Sequence, residues 1–138
     1  MIKNAFIFMD VDGTLVVDGS SKIDSERRKM VEELIANGQE VVILSNKKNH
    51  ERNAEVATSL GVTYLKTELK KPNPALLDLV EDGVKPLEVY GDKWWTDGRF
   101  AKNIGAHFVK VKRLRGPGES FGIKLSYLLD DIFARMFV

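Results

Sequence analysis

Cysteine is absent from this chain, which rules out disulfide bridges, thiolate metal sites and cysteine nucleophiles, and agrees with a reducing compartment. Long apolar runs are missing too; none approaches the roughly 20 residues that span a bilayer. The first apolar segment begins so near Met1 that no signal peptide fits before it, and a cytoplasmic protein is the expectation. Nor does one sign of charge dominate. The 21 basic and 20 acidic residues nearly cancel, so no global field favours nucleic acid or an anionic membrane. There is no repeat or low-complexity segment, and the two histidines, His50 and His107, lack partners suggested by spacing.

What is present reads as one α/β domain over residues 1–138, long enough to bury a core without covalent staples. Buried strands are expected at 5–9, 40–45, 62–65, 87–90 and 107–111. Helices are expected near 25–37, 50–60 and 96–104, with Gly38, Gly61 and Gly105 as stops. Pro72 and Pro74 introduce a further helix carrying Leu76, Leu77, Leu79 and Val80, with Gly83 past its end. Alternation of this kind predicts a parallel sheet with helices on both faces, its core spanning 5–111 and a basic loop and helix filling 112–138.

The polar residues of interest fall just beyond these strands, at the edge where open α/β sheets bind ligands. Asp10 and Asp12 follow the first strand, in Asp10-Val11-Asp12-Gly13-Thr14. Two carboxylates so close repel unless a cation or a shared proton offsets them, so a divalent metal is their natural companion. The second strand ends in Ser45-Asn46-Lys47, Lys70-Lys71-Pro72 follows the third, and the fourth runs into Gly91-Asp92 with Thr96-Asp97 close behind. A carboxylate nucleophile, a shielding metal, and hydroxyl and ammonium donors suit phosphoryl transfer. Taken singly, Ser45 also reads as the start of a polar loop, Lys71 as a solvated helix entrance, and Asp97 as a helix cap.

The same four segments, in the same order, resemble the motifs of the haloacid dehalogenase (HAD) superfamily of phosphatases over about residues 5–111. Within it the chain is similar to the capless class IIIA group that includes YqeG and the phosphatidylglycerophosphate phosphatases, although Gly13 stands where that group often has Asn. The resemblance implies a three-layer Rossmann-like fold and a magnesium-dependent phosphatase working through an aspartyl-phosphate. It implies Asp10 as nucleophile and Asp12 as acid and base. Asp10, Asp92 and the backbone carbonyl of Asp12 would hold Mg2+. Ser45, Asn46 and Lys71 would bind phosphate, with Lys70 as the alternative lysine and Thr14 and Asp97 in secondary roles.

Neither interval between the motifs has room for a cap domain, so an open cleft is expected. Such a cleft favours a bulky or macromolecular phosphomonoester unless a second subunit closes it. Nucleic-acid 3' end repair shares this chemistry, and an idle binding domain that kept the cleft is the remaining class. Trp94 and Trp95, inside the fourth motif, would either flank a leaving group or pack under the loop. Near the C-terminus, apolar residues from Phe121 to Phe137 recur at helical spacing. Packing of that stripe on the sheet is expected, with a subunit interface or a membrane surface as the other uses, and Asp130 and Asp131 weigh against anionic lipid. Lys110, Lys112, Arg113 and Arg115 precede it, followed by a Gly116-Pro117-Gly118 break.

Overall fold

The apolar runs become five short strands, β1 (Phe6–Met9), β2 (Glu40–Ile43), β3 (Thr63–Tyr64), β4 (Leu87–Gly91) and β5 (His107–Lys110), each within a residue or two of its predicted limits. They form one sheet in the order β3-β2-β1-β4-β5 with every neighbouring pair parallel. The computed structural model describes residues 4–80, 86–116 and 120–137. Gly83, Pro117 and Gly118, to which the sequence assigned a helix stop and a loop break, lie outside them.

Alternation along β1 sorts the core into two layers. Ile7 and Met9 face α1 (Ser25–Ala36) and α2 (His50–Leu60), meeting Val31, Leu34, Val56, Ala57 and Leu60. Phe6 and Phe8 point to the other face, where Leu76, Phe100 and Ala101 cover them; Phe8 meets Phe100 edge-on at 5.3 Å between ring centroids. Asp24 caps α1 and Asn49 caps α2, each accepting a backbone N–H three residues on, and Gly61 ends α2 in the left-handed region.

Two predicted helices differ in form. The segment after Pro72 is a short 3₁₀ helix, Pro74–Leu79, because Leu76 is its one fully buried side chain and no longer apolar face exists to support an α-helix. The helix expected from Thr96 begins instead as a π-helical turn, Trp94–Gly98, and becomes α3 (Arg99–Ile104). In that turn the Lys93 carbonyl accepts from the N–H groups of both Asp97 and Gly98.

The C-terminal helix α4 (Phe121–Phe137) overturns the expectation that its stripe packs on the sheet. Tyr127 and Asp130, on the opposite side, are buried, whereas Leu125, Leu128, Leu129 and Ile132 are 40–57% exposed and Phe121 and Met136 more so. The inner side is held by polar and aromatic contacts to the π turn, which leaves the apolar stripe outside. No helix among the described residues is long and apolar enough to cross a membrane.

Candidate active site

β1 is the strand from which the chain order runs both ways across the sheet, so its carboxyl end is the switch point where a crevice opens. Asp10 lies there, and a cleft of about 190 Å³ is lined by Asp10, Asp12, Ser45, Asn46, Lys71 and Asp92 together with Asp18, Lys93 and Tyr127. All four predicted segments therefore reach one cavity. Carboxylate oxygens of Asp10, Asp92 and Asp97 lie within 4.8 Å of one another.

Lys71, not the exposed Lys70, enters this cluster. Its Nζ donates to Asp10 Oδ1 at 3.0 Å and to Asp97 Oδ1 at 2.7 Å. Burial alone would lower its pKa, but the charges of Asp10 and Asp97 outweigh that effect and hold it well above the usual lysine value. Asn46 fixes the lysine's backbone: Lys71 N–H donates to Asn46 Oδ1 at 2.8 Å and Asn46 Nδ2 donates to the Lys71 carbonyl at 3.0 Å. That amide, expected to bind phosphate, lines the cleft and also places Lys71. Thr14 Oγ1 lies 3.4 Å from Asp10 Oδ2 as a donor, and buried Ser45 donates to the Lys47 carbonyl at 3.1 Å.

Asp97 does not cap a helix. The π turn directs it inward, where Lys71 Nζ and the Lys93 N–H, at 3.3 Å, donate to its two oxygens. Gly91 makes the space, since a Cβ there would lie 2.2 Å from the Asp97 carboxyl group. Burial, and then the charge of Asp10, push the Asp97 carboxyl upward; burial, with Asp10 and Asp97 behind it, pushes Asp92 further. Asp92 Oδ2 is buried with no hydrogen-bond partner among the described residues, although the Tyr127 hydroxyl stands close enough to favour the charged carboxylate. An orphaned carboxylate oxygen beside two further carboxylates is the environment a hard divalent cation relieves, so the donor set fits Mg2+.

Asp12 is arranged differently from its neighbours. Arg52 of α2 grips both its oxygens, Nη1 to Oδ1 at 2.8 Å and Nη2 to Oδ2 at 2.7 Å, and the Gly19 N–H adds a third donor at 2.8 Å. Burial would raise the Asp12 pKa, but these donors and the guanidinium charge bring it below the ordinary carboxylate value. Sequence reasoning missed Arg52. Its signal was spacing, because Arg52, Val56 and Leu60 recur every four residues, which places a charge on the buried face of α2.

Tyr127 and Asp18 were missed as well. Tyr127 comes from α4, 4% exposed, and its hydroxyl donates to Asp18 Oδ2 at 3.2 Å; Lys47 pairs with the same carboxylate. Lys93 and Arg113 stand over its ring at 4.5 and 3.8 Å from the centroid. This packing accounts for Gly13. At φ +78° a Cβ would lie 2.2 Å from Asp92 Oδ2 and 2.7 Å from the Tyr127 hydroxyl, so the turn needs glycine.

The two tryptophans hold α4. Asp130 accepts the Trp94 N–H at 3.0 Å and the Trp95 N–H at 2.8 Å, and both rings pack on Phe133. Arg99 stacks on the half-exposed Trp95 ring.

Comparison with known proteins bears on the family and the fold. The family described as mitochondrial PGP phosphatase matches residues 2–114. Among solved structures, the chain is similar to the NMR structure of the core domain of a candidate phosphoglycolate phosphatase from Streptococcus pneumoniae. Identity there is 24% and the TM-score 0.53, over 94% of this chain and 96% of that one. It also resembles a chain of a Pnkp1/Rnl/Hen1 complex, at 14% identity and TM-score 0.53, over 79% of this chain and 46% of that one. At these identities the two structures bear on the fold alone. No curated protein matches the sequence.

Proposed function

The chain belongs to the PGP phosphatase family and is a HAD-like hydrolase of phosphoric monoesters, and we propose that it acts through an aspartyl-phosphate on Asp10 with Mg2+ beside it. The observation that carries this reading is the convergence of Asp10, Asp92 and Asp97 on one point, with Lys71 bridging two of them.

In the first step an oxygen of Asp10 attacks phosphorus in line, the phosphorus–ester oxygen bond breaks, and the departing alkoxide takes a proton from Asp12. In the second, Asp12 removes a proton from water, the water oxygen attacks phosphorus, and the bond to Asp10 breaks to release inorganic phosphate. Lys71 and Thr14 orient the nucleophile by engaging its two oxygens. Lys71 would offset charge on the phosphoryl oxygens, and the Ser45 hydroxyl would turn from the Lys47 carbonyl to donate to one of them. The metal would be held by the carboxylates of Asp10 and Asp92 with the Asp12 backbone carbonyl, Asp97 standing next to them. When bound it supplies charge neutralisation for the phosphoryl group.

Arg52 bears on the timing of Asp12. It keeps the carboxylate anionic, the form required for activating water. A phosphoryl dianion entering the cleft opposes the guanidinium and raises the Asp12 pKa, favouring the protonated form needed by the leaving group. Among the described residues no cap domain covers the cleft, which supports a bulky phosphomonoester. A cytoplasmic site of action belongs to the same proposal; the word mitochondrial describes the family.

The test is hydrolysis of an aryl phosphate with and without Mg2+, for the unaltered protein and for Asp10→Asn. Activity that needs the metal and is lost in the variant is expected. Metal-independent turnover, or full activity in Asp10→Asn, overturns the mechanism. A panel of sugar, nucleotide, lipid and 3'-phosphorylated oligonucleotide monoesters then ranks substrates by kcat/KM.

A further inference from the structure

The outward face of α4 has no partner among the described residues, yet its composition and surroundings restrict what can cover it. Phe121, Leu125, Leu128, Leu129, Ile132 and Met136 make one exposed stripe on a helix whose other side is fixed to the protein by Tyr127 and Asp130. α4 lies beyond residues 2–114, so this face is a property of the chain and not of its family match.

We propose that this face docks the enzyme on an anionic lipid surface, with α4 lying in the plane of the interface. Of the two acidic residues that weigh against lipid, one is buried and the other is half-exposed beside basic neighbours. Asp130 is buried as the acceptor for Trp94 and Trp95, and Asp131 lies 3.9 Å from Lys110. What borders the stripe is basic. Leu128 adjoins a recess of about 360 Å³ lined by Arg113, Arg115 and Lys124 as well as Asp131, and exposed Arg135 lies in the last turn of the helix. Apolar side chains beside cations that reach the headgroups are the composition of an interfacial helix. A helix of 17 residues interrupted by Lys124, Asp130 and Asp131 does not span a bilayer, which leaves the interfacial position.

Continuity with the cleft gives the orientation. A groove of about 480 Å³ runs between α4 and the π turn, lined by Leu125 and Leu129 at one side and by Lys93 and Thr96 at the other; Lys93 and Thr96 also line the phosphate cleft. A docked α4 therefore brings the cleft mouth to the surface. This orientation rests on the proposed phosphatase site, whereas docking itself does not.

The experiment is co-sedimentation of the full chain with vesicles of phosphatidylcholine alone and of phosphatidylcholine with phosphatidylserine in equal parts, using Leu128→Glu/Ile132→Glu and Lys124→Glu/Arg135→Glu. Circular dichroism melting confirms that the variants fold, independently of any enzyme activity. Binding to the anionic vesicles is expected to weaken about tenfold or more in either variant, and in the unaltered protein to fall as salt is raised. No binding to the anionic vesicles, or binding unchanged in folded Leu128→Glu/Ile132→Glu, overturns the proposal. So does a dimer in sedimentation velocity that the same variant abolishes while vesicle binding is absent, since a second copy would then cover the face.

Discussion

Arg52 and Asp12 form the ion pair on which the site's geometry most depends. Both are nearly buried and their contact is bidentate. Removing one partner leaves the other charge uncompensated, so Arg52→Met is expected to cost about 3–5 kcal/mol in urea unfolding near neutral pH. The folded pKa of Asp12 is depressed, so its contribution is present above the unfolded value of about 3.9 and disappears as pH falls through the folded value. The gap between wild type and Arg52→Met should accordingly be full at pH 6 and shrink below about pH 4. A gap independent of pH would show that the guanidinium acts by packing alone. At this scale the four motifs were legible because each residue type had a chemical reason to sit at a strand end. Arg52, Asp18 and Tyr127 were not, because a side chain reaching the cleft from a helix or loop leaves no mark of its target in its neighbours.

The π turn and α4 show what decides the form of an element. An α-helical first turn would not present Asp97, Trp94 and Trp95 in this arrangement; the extra residue directs Asp97 to Lys71 while two N–H groups face Asp130. Asp130→Ala removes both acceptors and is expected to destabilise by about 1–3 kcal/mol. It should also speed hydrogen exchange at the Trp94 and Trp95 amides more than at those of β1. Uniform change across the chain would contradict a local clamp. Strands and the first two helices could be read from the sequence, since burial on one or both faces imposes a period and caps mark the ends. The side of α4 that packs could not. An apolar stripe records that a face avoids water but not what it meets, and here the protein contact is made by Tyr127, Asp130 and Phe133.

At the scale of the molecule, a parallel sheet gathers strand ends from distant parts of the chain and concentrates negative charge at one edge. Asp10, Asp92 and Asp97 repel one another, and Lys71 offsets only part of that repulsion. Mg2+ should therefore stabilise the fold: at a hundredfold excess over Kd the gain is about 2.7 kcal/mol, or roughly 5–10 °C in Tm. Chelation should reverse it and Asp92→Asn should abolish it, as read by differential scanning calorimetry. The parallel fold was legible from the alternation of strands and helices, because few topologies join such elements by short connections. The most direct measurement of the central claim is borohydride reduction of the enzyme quenched during turnover, followed by peptide mass spectrometry. Trapping of the acyl phosphate as homoserine at position 10, absent from Asp10→Asn, is the expected result. Turnover with no modification at that position, or with modification at another carboxylate, would contradict Asp10 as the nucleophile.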